Sequence, residues 1–313
     1  MTLKNATAVL ILGLLAVILA VLLLIVRRGQ ARNFLDPKAP VFTGPLPAKT
    51  VVGARAPLVE GRFSVVSFNI HFGYAATDIA PTLRANGMDS ADVLFLQESN
   101  ERTAREVAAQ LGLAYVYYPA AVHPISKDLF GVAILSRWPI LAHRKILLPD
   151  HSYFDAARKA AVTAVIDLNG VPVQMVSVHL QAGMLRRGYR AQLGSLLACA
   201  TRGACVGDPR PDVLPSARAL LIGGDFNTWY GGLTEELTAA MSGASLVRVG
   251  GIFETFSKLT TETAPRSTFD YYFASPGILT GPGRVGTVRT GSDHFPIEAT
   301  FRIPADESES RRR

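Results

Sequence analysis

Eight polar residues stand where short apolar runs end, and their types suit one kind of chemistry. Asn69 closes SVVSFN, Glu98 ends ADVLFLQE, and His179 closes VPVQMVSVH. Asp225 and Asn227 follow ALLIGG, Asp270 lies in STFDYYF, and Asp293 and His294 lie in TGSDHFP before the last apolar run. One Glu, three Asp, two Asn and two His form an oxygen-rich set with two imidazoles. That composition suits a hard divalent cation, Mg²⁺ or Mn²⁺, rather than a closed zinc site. Phosphoryl transfer calls for such a set. In-line attack builds charge on equatorial and leaving oxygens, so a metal and cationic donors must be in place beforehand. Imidazole fits because its pKa lies near neutrality.

These groups can meet only if the runs that carry them are strands ending side by side. Apolar patterning predicts strands over 64–69, 91–97, 131–136, 160–167, 171–179, 219–224, 267–274 and 296–303. It predicts helices over 79–85, 100–111 and 185–200. Asn169-Gly170 between two strands signals a type I′ hairpin. The stretches 119–130, 143–158, 200–218 and 228–266 read as loops around the cleft. Many strands, several hairpins and a few interleaved helices predict an α+β fold: two packed β-sheets flanked by helices, a four-layer sandwich.

The combination SFN, LQE, VHL, GDFN, FDYYF and SDHFP, in that order, resembles the endonuclease/exonuclease/phosphatase superfamily with its DNase-I-like fold. The resemblance spans 62–303. Any one motif is weak; six in order are specific. It implies a divalent-metal-dependent phosphoesterase. Glu98 would be the principal metal ligand, with Asn69 beside it and Asp293 coordinating through water. Asp225 would orient or deprotonate the attacking water, and Asn227 would hydrogen-bond the phosphate. His179 would stabilise the phosphoryl oxygens or protonate the leaving group. His294 would be the second imidazole, held in its tautomer by Asp270 or Asp293. One departure is mild: Phe269-Asp270-Tyr271-Tyr272 stands where many members have Leu-Asp-Tyr-Ile, and the acid is kept.

Other polar residues have ordinary explanations. His71 is as well explained by a solvent-facing loop as by substrate contact, and His123, His143 and His151 have no motif around them. Arg158 stands before a strand, where relatives often place a phosphate-directed Arg. Arg186, Arg187 and Arg190 could meet an anion, although a solvated helix face is the commoner reading. Trp229-Tyr230 would sit on the rim of the cleft.

The formal charge of +7 on 313 residues resembles a nucleic-acid signature until it is divided. Residues 1–61 carry net +5 and 304–313 net zero, which leaves 62–303 at only +2. A strong electrostatic grip on a polyanion is not the default for such a body, so nucleic acid is possible as a partner but not favoured. Residues 8–26 form 19 uncharged apolar positions, long enough to cross a bilayer, with a cleaved signal peptide as the alternative. The expected organisation is therefore a transmembrane anchor over 1–32, a Pro-rich linker over 33–61, a catalytic domain over 62–303 and a charged tail over 304–313. Cues for the side of the membrane conflict. Arg27, Arg28 and Arg32 favour a cytoplasmic body, whereas a short N-terminal tail and the two cysteines, Cys199 and Cys205, favour export. The balance falls on the extracytoplasmic side. The cysteines are either a small disulfide loop or two unrelated thiols. The substrate expected is a membrane-associated or small phosphate ester, of the phospholipid or prenyl diphosphate class; the alternative is a nuclease. A non-catalytic module is disfavoured because Glu98, His179, Asp225 and His294 are all present.

Overall fold

The computed structural model describes residues 12–19, 21, 31–46, 58–73, 76–124, 126–152, 156–182, 186–208, 214–229, 231–257 and 267–304. Eight of its strands form one sheet: β1 (Arg32–Asn33), β2 (Phe42–Gly44), β3 (Arg62–Asn69), β4 (Val93–Ser99), β5 (Ala114–Val122), β6 (Leu129–Ser136), β13 (Leu279–Val285) and β14 (Ile297–Arg302). Their order is β1-β5-β6-β4-β3-β14-β13, with β2 also on β5. The second sheet holds β7 (Ile140–Leu147), β8 (Ala160–Leu168), β9 (Val171–His179), β10 (Ala219–Asp225), β11 (Val247–Val249) and β12 (Asp270–Ala274), in the order β11-β12-β10-β9-β8-β7. Four helices cover the outer faces: α1 (Ile79–Ala85), α2 (Glu101–Leu111), α3 (Arg186–Arg202) and α4 (Leu233–Gly243).

Strand alternation sorts the apolar residues into three clusters. Val65, Phe95 and Ile134 of the first sheet meet Val162, Met175 and Leu221 of the second in the central core. Their neighbours Val66, Phe68 and Leu94 turn outward onto Leu83 of α1 and Val107 of α2. On the far side Val176, Val178 and Ile222 pack against Leu193, Leu196 and Leu237 of α3 and α4. Each fully buried side chain of this size contributes about 1.5–3 kcal/mol. The expected four-layer sandwich is therefore present. Two polar contacts tie the sheets below the site: Gln97 Nε2 donates to Ser177 Oγ at 3.1 Å, and Tyr272 OH donates to the Val65 carbonyl at 3.0 Å.

Both sheets are mixed, and this positions the chemistry. β3 runs parallel to β4 and β9 parallel to β10, each pair joined through a helix. Parallel strands end at the same edge. Asn69 is thus paired in register with Gln97, beside Glu98, and His179 with Asp225. β12 runs antiparallel to β10 and begins with Asp270 opposite Asp225.

Several elements depart from the expectation. β7, taken as loop from residue 143 onward, is the edge strand of its sheet and carries Arg144 and Lys145, charges that apolar patterning does not read as strand. Both are buried with partners: Arg144 Nε lies 3.9 Å from Asp208, and Lys145 Nζ donates to the carbonyls of Phe34 (3.3 Å) and Ala39 (3.1 Å). α4 and β11 fall inside 228–266, and β5 runs into 119–130. β13 holds two Gly and a Pro and exists because β14 pairs with it. Residues 32–33 and 42–44 are not free tether but strands on β5. The rest of the linker from 47 to 57 and the tail from 305 lie outside the described residues. Cys199 and Cys205 form a disulfide.

The expected membrane placement is corrected. Among the described residues no helix is long and apolar enough to cross a membrane. The apolar run, apart from residues 12–19 and 21, lies outside the described residues. The single-pass anchor and the extracytoplasmic assignment built on it are not retained.

Candidate active site

The strand ends open onto a cleft of about 260 Å³ that brings together Asn69, Glu98, His179, Asp225, Asn227, Asp293 and His294. Asp270 lies beneath them, 1% exposed, so all eight expected residues converge.

Asp225 is the hub. Its Oδ2 accepts from Asn69 Nδ2 at 2.9 Å and Asn227 Nδ2 at 3.2 Å. His179 Nε2 and His294 Nε2 approach the same oxygen at 3.6 and 3.7 Å. Its other oxygen accepts from the Asn227 backbone at 2.8 Å. Burial raises the Asp225 pKa well above the usual carboxylate range.

The two imidazoles differ. Burial, then Lys159 and His294, push His179 well below its ordinary pKa, so it stands neutral near pH 7. Burial also opposes charge on His294, but Asp270 and Asp225 outweigh it and lift that ring to about 9. His294 Nδ1 lies 2.9 Å from Asp270 Oδ2, which also accepts from Thr255 Oγ1. Asp270, not Asp293, is thus the partner that orients His294. Asp293 Oδ1 instead meets His71 Nδ1 at 3.2 Å, and that contact, opposed by burial, raises the His71 pKa.

Glu98 is aimed by backbone irregularity. The β4–β6 register shifts between Leu96 and Ser99, and Glu98 takes φ +53°. A bulge of this kind re-aims a side chain at a sheet edge. Glu98 Oε1 lies 3.7 Å from His179 Nε2 and 4.0 Å from Lys159 Nζ. Its Oε2 is buried with no hydrogen-bond partner. A buried carboxylate oxygen left unpaired is costly, and a cation would relieve that cost. Among the described residues no three His, Cys, Asp or Glu groups form a ready-made cage. Mg²⁺ does not need one, since it is bound through one or two carboxylates and keeps waters or phosphate oxygens. The residues present fit such an ion: Glu98, Asn69 and Asp293 all line this cleft.

Asn227 has both amide protons engaged, on Leu180 O (2.9 Å) and Asp225, so a contact to phosphate requires exchange of one of them. Arg158 is not in the cleft: its NH1 donates to the Leu148 carbonyl at 3.4 Å. Its neighbour Lys159 is, with Nζ 4.5 Å from the centroid of Phe130. Successive residues of an extended chain face opposite ways, and the sequence marked Arg158, not Lys159. His123 also lines the cleft, against Phe72 (4.5 Å between centroids) and Phe130 (5.4 Å). No sequence pattern marked it. Arg186 and Arg190 bind Glu236 of α4 at 2.7 and 2.8 Å, as a solvated helix face would. Trp229 is on the rim as expected, stacked on Phe269 at 5.4 Å; Tyr230 lies outside the described residues.

The match to the endonuclease/exonuclease/phosphatase family runs over residues 66–294 and takes in every residue just placed. The chain belongs to that family. Its members are hydrolases acting on phosphate esters, generally with a divalent metal. Solved structures with the same fold include an endonuclease/exonuclease/phosphatase from Beutenbergia cavernae, 20% identical, with a TM-score of 0.55 over 78% of this chain and 72% of that one. A humanised TDP2 of D. rerio matches at 16% identity and TM-score 0.56, over 78% of this chain and 100% of that one. A mannosyl-6-phosphatase of Bacteroides thetaiotaomicron matches at 15% and 0.57, over 77% and 100%. No curated protein matches the chain in sequence.

Proposed function

We propose that the protein is a divalent-metal-dependent phosphoesterase using Mg²⁺ or Mn²⁺ on a small phosphorylated substrate, of the phospholipid or prenyl diphosphate class. The observation that carries this reading is the buried, unpaired Glu98 Oε2 in a cleft that also holds two imidazoles and Lys159. Glu98, with Asn69 and Asp293 beside it, would hold the ion, which when bound supplies positive charge to the phosphoryl oxygens. Asp225, lifted toward neutrality by burial, accepts the proton of the attacking water. His294, kept charged by Asp270, donates to the phosphoryl oxygens. Neutral His179 offers a further N–H, and Lys159 a fixed charge, for the same oxygens. The near-neutral body and the small cleft favour a small substrate over a nucleic acid. A D. rerio TDP2 of the same fold is described in complex with a single-stranded DNA product, and the phosphatase of B. thetaiotaomicron is named for a sugar phosphate, so the fold leaves both classes open.

The test is Glu98→Gln. It should lower Mn²⁺ affinity by calorimetry and reduce turnover of bis(4-nitrophenyl) phosphate by about 10²-fold or more, with an unchanged thermal melt. Wild-type turnover and metal affinity in that variant would refute the assignment.

A further inference from the structure

A second pocket, of about 290 Å³, lies beside the catalytic cleft and has no part in the chemistry above. Phe34, Leu35, Leu147, Leu148, Pro149 and Val206 line it, with two cations, Arg158 and Lys159, in its wall. Lys159 lines the cleft as well, so the two cavities meet at one residue. The pocket is built rather than incidental. Lys145 holds the Phe34 carbonyl, β1 pairs with β5, and the Cys199–Cys205 disulfide fixes the chain immediately before Val206. At its mouth Leu35 and Val206 are 57% and 49% exposed, apolar surface next to a polar site. Arg158 is drawn to the wall by its bond to the Leu148 carbonyl.

We propose that this pocket is a subsite for the apolar chain of an alkyl phosphate ester whose phosphate occupies the cleft; the proposal rests on the phosphoesterase reading. The order of lining residues matches such an amphiphile: the carboxylate and imidazole centre, then Lys159, which lines both cavities, then a hydrocarbon wall. A sugar phosphate has nothing to place against that wall, and a polyanion would need further cations where the wall is apolar.

The experiment uses the full chain with Mg²⁺ and 4-nitrophenyl alkyl phosphodiesters from methyl to octyl, kept monomeric, so that the leaving group is constant. The value of kcat/KM should rise about fourfold per methylene until the pocket is filled, the equivalent of about 0.8 kcal/mol per buried CH₂. Val206→Trp and Leu35→Asp, both at exposed positions, should lower octyl turnover tenfold or more and leave methyl turnover unchanged. A flat series in the wild type, or an unchanged slope in both variants, overturns the subsite while methyl turnover still supports the phosphoesterase reading. If no ester is turned over, that reading fails, and calorimetry of octylphosphonate against methylphosphonate decides the subsite alone: tighter octyl binding lost in Val206→Trp supports it, equal binding overturns it. Phosphatidic acid in phosphatidylcholine vesicles is the companion arm. Turnover there as well assigns a lipid chain, and turnover of the free esters alone assigns a soluble amphiphile.

Discussion

One oxygen, Asp225 Oδ2, is within 3.7 Å of nitrogens from four side chains: Asn69, Asn227, His179 and His294. Groups gathered so closely act on one phosphoryl group, and their losses should not multiply. His179→Ala and His294→Ala should each lower kcat by about 10²-fold, with the double variant far less impaired than the product of the two. Steady-state kinetics on the three variants checks this, and a full product would mean independent roles. At this scale the sequence was informative wherever a side chain follows a strand end within a motif. It did not mark Lys159, gave His123 no motif and left His71 between a loop and substrate contact; their places depend on strand alternation, an aromatic cluster and a turn with positive φ at His71 and Phe72.

Among elements, β7 and the N-terminal strands depend on one another through Lys145. Its ammonium is buried between two carbonyls, and burial lowers its pKa from an ordinary 10.5 to about 8, with Asp36 opposing the shift. Above pH 8 the folded form has released this proton while the unfolded chain still holds it up to about 10.5, so the group makes stability rise with pH across that window. Below pH 8 the buried charge is a cost. Lys145→Met should remove that rise, a difference of up to about 3 kcal/mol between the pH 8 and pH 10.5 ends when urea-unfolding curves of variant and wild type are subtracted. Parallel curves would show that Lys145 does not titrate as its burial requires. Apolar alternation made β3, β4, β8, β9 and β10 legible. It failed for β7, whose charges are satisfied by the Asp208 carboxylate and two distant carbonyls, and for β13, whose Gly-Pro-Gly run is held by its partner strand. It also failed for α4, whose TEELTAA surface resembles loop composition. Pairing decided β7 and β13, and pairing is not written locally.

For the molecule as a whole, two sheets must dock before any of the site exists, because Asn69 and Glu98 come from one and His179 and Asp225 from the other. The Cys199–Cys205 bond contributes outside that interface, closing a loop of about seven residues at the end of α3. Loop-closure entropy sets its contribution at about 2 kcal/mol. Cys199→Ser with Cys205→Ser should lower Tm by about 4 °C and leave turnover of a methyl diester unchanged, as calorimetry and an assay on the same sample would measure. The two-sheet architecture followed from counting strands and hairpins. Whether the cysteines were joined did not, since their separation of six allows either state. Four residues of the cleft region, His71, Phe72, Glu98 and Asn227, hold positive φ without being glycine. Each such backbone costs of order 1 kcal/mol, and glycine would relieve it. Drift toward glycine at Glu98 or Asn227 would thus be rewarded in folding while erasing the carboxylate or amide. A lineage of this protein released from selection for turnover has a downhill path to becoming a more stable, inert protein, and these positions are where the decay would begin.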